Sequence, residues 1–344
     1  MKVAVLGLGR TARAVTAYLS RKGCAVTMWG RNSDVVRKLS DTGLLVSGHC
    51  AGHYHPRVVD DIAQAVAGAD LILVMTVASG HAPVANRLKG LLEAGQRILI
   101  FNGNWGAYTF YRVLREEAAQ KRLQIGETGA QLFLADYEGE YCHIKSIKKR
   151  ISLATVRPED AKDMCLWLMP LFPQFVAEEN VVCTSVNSSN PVMHTPIVLF
   201  NVTRMENGEE FYFYAQAATR RVLDAVEKID TERCAVAKAM GIPGVHCVDI
   251  LNSFWPEQYE TLYDAVKNNN AYLTGKGPKT LEHRYLQEDL PFGIAPIAGL
   301  GKIYGVSTPH IDAMLACYRW LMDVDYESLA PEFDMEILKE LINK

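Results

Sequence analysis

The sequence predicts an α/β protein: a doubly wound parallel sheet across residues 1–184, followed by an all-helical domain across residues 185–344. Three observations carry that expectation. Short β-branched runs alternate with stretches of helical length through the first half, and a glycine-rich turn follows the first of those runs. Beyond a Ser/Asn-rich stretch at 185–190 the strand-like runs stop and helical periodicity takes over. At about 150 residues per domain, the 344 residues leave room for two cores.

Residues 3–6, 25–29, 71–75 and 98–101 are continuous apolar runs, as expected of parallel strands buried on both faces. Parallel neighbours need crossovers, and helical stretches lie at 11–21, 33–39, 60–67, 82–92 and 107–122. Runs near 123–127 and 151–156 extend the sheet, a helix is expected over 158–171, and 175–184 reads as a further strand. In the second half, Phe211, Tyr214, Ala218, Val222, Ala225 and Ile229 recur at helical spacing. They predict one apolar stripe on a helix that runs to Met240 and is stopped by Gly241. Thr308 and Pro309 predict another helix start, with threonine as cap and proline in the first turn.

Composition removes whole classes of function. A net charge of −3 leaves no electrostatic footprint for a nucleic-acid partner, and the local group Lys145, Lys148, Lys149 and Arg150 is expected to be a solvated face. A chain that is 49% hydrophobic and 22% charged is not mainly disordered. No apolar run approaches the roughly 20 residues that a membrane helix needs. Eight cysteines without a CxxC pair, and no signal-peptide pattern before residues 3–6, predict a cytoplasmic protein with reduced thiols.

The turn after the first run reads Gly7-Leu8-Gly9-Arg10-Thr11-Ala12, a G-x-G-x-x-A pattern between a strand and a helix. In a Rossmann-type domain Gly7 permits the tight turn, Gly9 lets the backbone approach a pyrophosphate, and Ala12 lets the helix pack on the strand. The helix-start amides around Arg10 and Thr11 would face the anion. An NAD-preferring site usually carries an acidic residue at the end of the second strand, yet here that strand ends Met28-Trp29-Gly30-Arg31-Asn32. Arg31 suits a 2′-phosphate, with Asn32 as a second donor, so NADP(H) is preferred and NAD(H) is the alternative. By analogy with the fold, the strand-end loops containing Val77 and Ala78, and Asn102 to Asn104, would continue the site towards nicotinamide.

A reductase of carbonyls or imines needs a proton donor, and His194 lies in Asn190-Pro191-Val192-Met193-His194-Thr195-Pro196, just past the domain boundary. Position alone leaves open whether this histidine is structural or catalytic. The segments GLGRTARA, VTMWGRN, Glu127-Thr128, NPVMHTPIVLFNVTRMENG, FYFYAQAATRRVLDAVEKIDTERCAVAKAMGI and HRYLQEDLPFGIAPIAGLGKIYGVSTPHIDAM together resemble the opine dehydrogenases of the octopine/nopaline group. That resemblance spans nearly the whole chain. It implies an NAD(P)H-dependent reductive condensation of a 2-oxo acid, such as pyruvate, with the amino group of an amino acid through an imine. It also implies His194 as the catalytic histidine, Asp289 as the carboxylate pairing with it, and Arg284 as the anchor of the oxo acid's carboxylate.

Asp312 is a rival for the orienting acid, although a carboxylate in a helix's first turn is already favoured by the helix dipole. His49, Cys50, His53 and His55 bring metal-type donors together in GHCAGHYHP, but without a distant partner pair of zinc-like spacing, so a polar loop and no bound metal are expected. Two other functions fit the same first half: a ketopantoate-reductase-like carbonyl reductase and a non-catalytic NADP(H)-sensing protein. The expected partners are small molecules, and a homodimer is compatible with the sequence.

Overall fold

The structure, a computed structural model, describes residues 1–138 and 141–343. Residues 1–184 and the stretch from Glu336 onward form one compact unit, and Ser185–Met335 form a second. The terminal helix Met335–Asn343, which the sequence reading assigned to the helical domain, therefore groups with the first unit. Its Leu338 and Leu341 are buried, and its Glu340 accepts from Tyr111 Oη at 3.0 Å and Arg115 Nη2 at 2.6 Å.

Among the described residues twelve strands run in chain order: β1 (Lys2–Leu6), β2 (Ala25–Trp29), β3 (Leu44–Gly48), β4 (Gly52–Tyr54), β5 (Arg57–Val59), β6 (Leu71–Val74), β7 (Arg97–Ile100), β8 (Gln124–Thr128), β9 (Phe133–Glu138), β10 (Tyr141–Ile147), β11 (Ile151–Thr155) and β12 (Phe175–Ala177). Eight of them form one sheet in the order β12-β11-β8-β7-β6-β1-β2-β5. From β8 to β5 all pairings are parallel, whereas β11 runs antiparallel to β8. The chain starts in the middle at β1, adds β2 and β5 on one side, and then returns to add β6 on the other. That reversal opens a crevice at the C-terminal ends of β1 and β6, the usual ligand position in such sheets. Val3–Leu6, Leu71–Val74 and Ile98–Ile100 are almost wholly buried, and each Val, Leu or Ile side chain among them stabilises the fold by about 1.5–3 kcal/mol.

A second sheet, β4-β3-β10-β9, was not legible in the sequence. Its strands are short and polar on one side, so no apolar run marks them. The His49–His55 segment, expected as a polar loop, belongs to the β3–β4 hairpin, with Cys50 left-handed at its tip (φ 61°). Nor is the whole Lys145–Arg150 group a solvated face. Lys145 pairs with Asp136 at 2.5 Å, and burial lowers the Lys148 ammonium to a pKa of about 7.

Three further expectations change. Only Phe175–Ala177 of 175–184 is a strand, because Asn180 Oδ1 accepts from Val182 N and Cys183 N and starts the Val181–Val186 helix. The long helix begins at Arg220, where Thr219 Oγ1 accepts from Val222 N. Phe213–Ala217 instead forms a π-helical turn, so Phe211 and Tyr214 leave the apolar stripe that Val222 and Ile229 continue. Thr308 does not cap the Pro309–Met322 helix through its side chain; buried Glu232 accepts from His310 N and Ile311 N. Among the described residues no helix is long and apolar enough to cross a membrane.

Candidate active site

The β1 turn has the shape that a dinucleotide requires. Gly7 sits at φ 138°, and a β-carbon there would lie 2.9 Å from Met75 O, so only glycine fits. A β-carbon on Gly9 would meet nothing within 4 Å, which leaves its backbone open to a ligand. Ala12 is fully buried, and the Arg10–Arg21 helix starts with neither a side-chain cap nor an acidic residue, so its half-buried Thr11 end favours an anion. The Arg10 guanidinium lies 3.5 Å from Asp136.

At the end of β2, Arg31 is exposed, and a β-carbon on Gly30 would meet Leu8 Cδ1 at 2.2 Å, so the Leu8 side chain would have to move aside. Asn32 has a task the sequence reading did not assign: its Oδ1 accepts from Asp34 N (3.0 Å) and Val35 N (3.2 Å), capping the Ser33–Thr42 helix. Its side-chain amide is thus the half of Asn32 left to serve a ligand. After β6, Val77 is 50% exposed while Ala78 is buried at the start of a short 3-10 turn.

The loop after β7 is the most strained part of this unit. Asn102, Asn104 and Trp105 are all left-handed (φ 57°, 43° and 66°), a conformation that costs a non-glycine residue about 1–3 kcal/mol. Glu127 and Thr128 hold it there. Buried Glu127 accepts from Ala107 N at 2.8 Å and Thr184 Oγ1 at 2.7 Å, while Thr128 accepts from Gly103 N and Asn102 N. So held, the loop keeps Asn102 Oδ1 and Asn104 Nδ2 buried without a partner among the described residues. Orphaned polar atoms of both signs suit an amide-bearing ligand, and with the open cradle at Gly9 they fit a nicotinamide dinucleotide.

In the second unit, His194 lies in the Ser189–Leu199 helix and is 5% exposed. Its Nδ1 is 2.7 Å from Asp289 Oδ2, and Asp289 is itself 3% exposed. A carboxylate can only accept, so Nδ1 carries a proton and Nε2 of the neutral ring has the lone pair. The Tyr214 hydroxyl lies 3.0 Å from that Nε2, the Tyr285 ring stacks on the imidazole at 3.8 Å between centroids, and Phe213 meets it edge-on at 5.8 Å. Arg284 begins the short Arg284–Gln287 helix, which His283 Nδ1 caps by accepting from Tyr285 N. Burial works against the Arg284 charge, but Glu288 and Asp289 outweigh it and hold the guanidinium pKa above its ordinary value. Among the described residues Arg284 has no ion-pair or hydrogen-bond partner, so it is not the surface ion pair with Glu282 or Glu288 that its neighbours suggest.

The structure thus brings His194 and Asp289 together and leaves Asp312 elsewhere, exposed and accepting from Thr308 Oγ1. Tyr214, Tyr285 and Phe213 were missed. The aromatic run FYFY was a signal, but helical spacing made Tyr214 look like core. His53 Nε2 lies 2.6 Å from Thr42 O, and the His53 and His55 rings are 4.2 Å apart. The one set of three metal-type donors within 4.8 Å of one another, among the described residues, is Asp230, Cys234 and His246. Fully buried Arg233 already neutralises Asp230 there, at 2.6 Å.

Residues 177–322 match the family described as NAD/NADP octopine/nopaline dehydrogenase, alpha-helical domain, and residues 3–135 match Ketopantoate reductase PanE/ApbA. The chain is 35% identical over 329 residues to the opine dehydrogenase of Arthrobacter sp. (strain 1C), covering 94% of this chain and 91% of that one. Two solved structures share the fold. One is octopine dehydrogenase with NADH and L-arginine, at 18% identity and a TM-score of 0.76, covering 100% of this chain and 98% of that one. The other is yersinopine dehydrogenase with NADP+ bound, at 13% identity and a TM-score of 0.76, covering 99% and 98%. With a relative at this identity along nearly its full length, and the octopine/nopaline signature on the helices that carry His194, the chain belongs to the opine dehydrogenase family of nicotinamide-dependent oxidoreductases.

Proposed function

We propose that this protein joins a 2-oxo acid to the amino group of an amino acid, using NADPH in preference to NADH, through an imine reduced to a secondary amine. The observation that carries the reading is the buried His194–Asp289 pair at 2.7 Å, built from two segments 95 residues apart. Solved octopine dehydrogenases that share the fold were captured with L-arginine and with pyruvate, which supports an amino acid and a 2-oxo acid as the substrate classes here.

When bound, the dinucleotide supplies the hydride. Gly7, Gly9 and Ala12 would receive its pyrophosphate, Arg31 and the Asn32 amide its 2′-phosphate, and the Val77–Ala78 and Asn102–Asn104 loops its nicotinamide end. His194 accepts a proton from the incoming amine and returns one as the oxo oxygen leaves as water. Asp289 keeps Nδ1 protonated and stabilises the imidazolium that forms at Nε2. Arg284, charged and without an ion-pair or hydrogen-bond partner among the described residues, anchors the oxo acid's carboxylate by a planar two-point contact.

A matrix of 2-oxo acids against amino acids, followed by NADPH absorbance and repeated with NADH, tests the reading. The expected outcome is consumption that requires both organic substrates. Consumption with the oxo acid alone would indicate a carbonyl reductase, and none with any pair a sensing protein. Arg31→Asp should move the preference from NADPH towards NADH; an unchanged ratio of kcat/KM values would remove Arg31 from the 2′-phosphate site.

A further inference from the structure

Taking the proposed reaction as its basis, we propose that the Tyr214 hydroxyl relays a proton from the substrate's ammonium group to His194, so that the amino acid is deprotonated through the phenol and not by direct contact with the imidazole. The first ground is access. His194 is 5% exposed, with Tyr285 stacked on its face and Nδ1 committed to Asp289, so Nε2 is the nitrogen left to exchange protons. Tyr214 Oη lies on that nitrogen at 3.0 Å, and although the hydroxyl is itself buried, the residue that carries it is more exposed than His194. The phenol is therefore the outer end of the chain Asp289–His194–Tyr214.

The second ground is that the phenol is fixed. Tyr214 sits in the π-helical turn Phe213–Ala217, and Lys267 Nζ donates to the carbonyl oxygens of Tyr214 (3.1 Å) and Ala215 (2.8 Å). Its ring packs 5.0 Å from both Phe213 and Tyr272. Single π-turns of this kind concentrate at functional sites. A hydroxyl held so firmly on Nε2 passes protons more readily than it swings aside.

The third ground is its protonation state. Burial first, then the neighbouring Tyr285, Tyr272, Asp289 and Cys247, push the Tyr214 phenol well above its ordinary pKa. It keeps its proton unless another arrives, and a neutral hydroxyl donates and accepts at once. In the step, a substrate N–H bond breaks as a new O–H bond forms on Tyr214, while the original O–H breaks and N–H forms on His194 Nε2. The products are a free amine, an unchanged phenol and an imidazolium paired with Asp289. The positive charge of Arg284, which is coupled to the Tyr214 phenol, disfavours an ammonium beside that phenol and pushes in the same direction.

The test is Tyr214→Phe, with NADPH consumption measured over a range of pH. Two pH units below the substrate ammonium's pKa, kcat/KM for the amino acid should fall about 100-fold, and the deficit should shrink about tenfold per pH unit as free amine accumulates. A structural role would lower the rate equally at every pH, and that result, or full activity near neutrality, overturns the relay. The unsubstituted protein provides a second reading: a proton inventory in mixed light and heavy water should bow, as for two protons in flight, and a straight line overturns the relay. If the unsubstituted protein consumes NADPH without needing an amine, the proposed reaction itself falls, and the relay with it.

Discussion

Asp289 Oδ2 stands 2.7 Å from Nδ1 of His194, and both side chains are withdrawn from water. The pair is only as good as the carboxylate's charge, because an amide would fit the same space yet could offer the ring its NH2 in place of an acceptor. Asp289→Asn is therefore expected to lower kcat by about 100-fold to 10,000-fold while leaving the affinity for NADPH unchanged. Steady-state kinetics beside a fluorescence titration of NADPH separate the two. A variant that kept more than a tenth of normal turnover would show that the carboxylate does not orient the base.

Arg284 carries a guanidinium with no partner among the described residues, beside two carboxylates that keep it charged. Lysine would preserve the charge and lose the planar fork. We expect Arg284→Lys to raise KM for the oxo acid about 10-fold to 100-fold, with KM for NADPH little altered. An unchanged oxo-acid KM would mean that the substrate carboxylate is held elsewhere.

Gly103 has no room for a side chain, since a β-carbon would lie 2.1 Å from the Glu127 carboxyl carbon. That carboxylate cannot step aside without releasing Ala107 N and Thr184 Oγ1. Gly103→Ala should cost about 1–3 kcal/mol of stability and weaken dinucleotide binding together, because one loop bears both. Urea unfolding and the NADPH titration measure them, and a variant of normal stability would contradict the rigidity assigned to this loop.

His81 is 2% exposed, its Nε2 has no partner among the described residues, and burial lowers its pKa to about 4. The folded state thus favours the neutral ring. The unfolded chain binds the proton more tightly between about pH 6.5 and pH 4, so the stability from this group is complete above pH 6.5 and is lost as pH falls towards 4. Between pH 7 and pH 5 the loss amounts to about 2 kcal/mol. Urea midpoints at both values should show the drop in the natural protein and a smaller one in His81→Leu. Equal slopes would mean that the ring is protonated in place.

The apolar runs at β1, β2, β6 and β7 were legible because strands buried on both faces need unbroken hydrophobic sequence. Gly7, Gly9 and Ala12 were legible because Gly7 has room for nothing larger, while small residues at the other two positions let a ligand reach the backbone and the helix pack on the strand. The β3-β4-β9-β10 sheet was not, since half-exposed strands of three to seven residues carry no such run. Tyr214 was misplaced for a related reason: spacing reports which residues would share a helix face, and it cannot report that Thr219 starts the helix five residues later.

The local sequence by itself determined the order of the central parallel strands and their crossover helices, the glycine turn and the absence of an acid after β2, since each follows from the space and charge allowed along short stretches. Resemblance alone linked His194 to Asp289. Whether that imidazole met a carboxylate, and which hydroxyl lay on its other nitrogen, was decided only by tertiary structure. Hydrogen bonds form over about 3 Å, and only packing brings groups 95 residues apart within that reach.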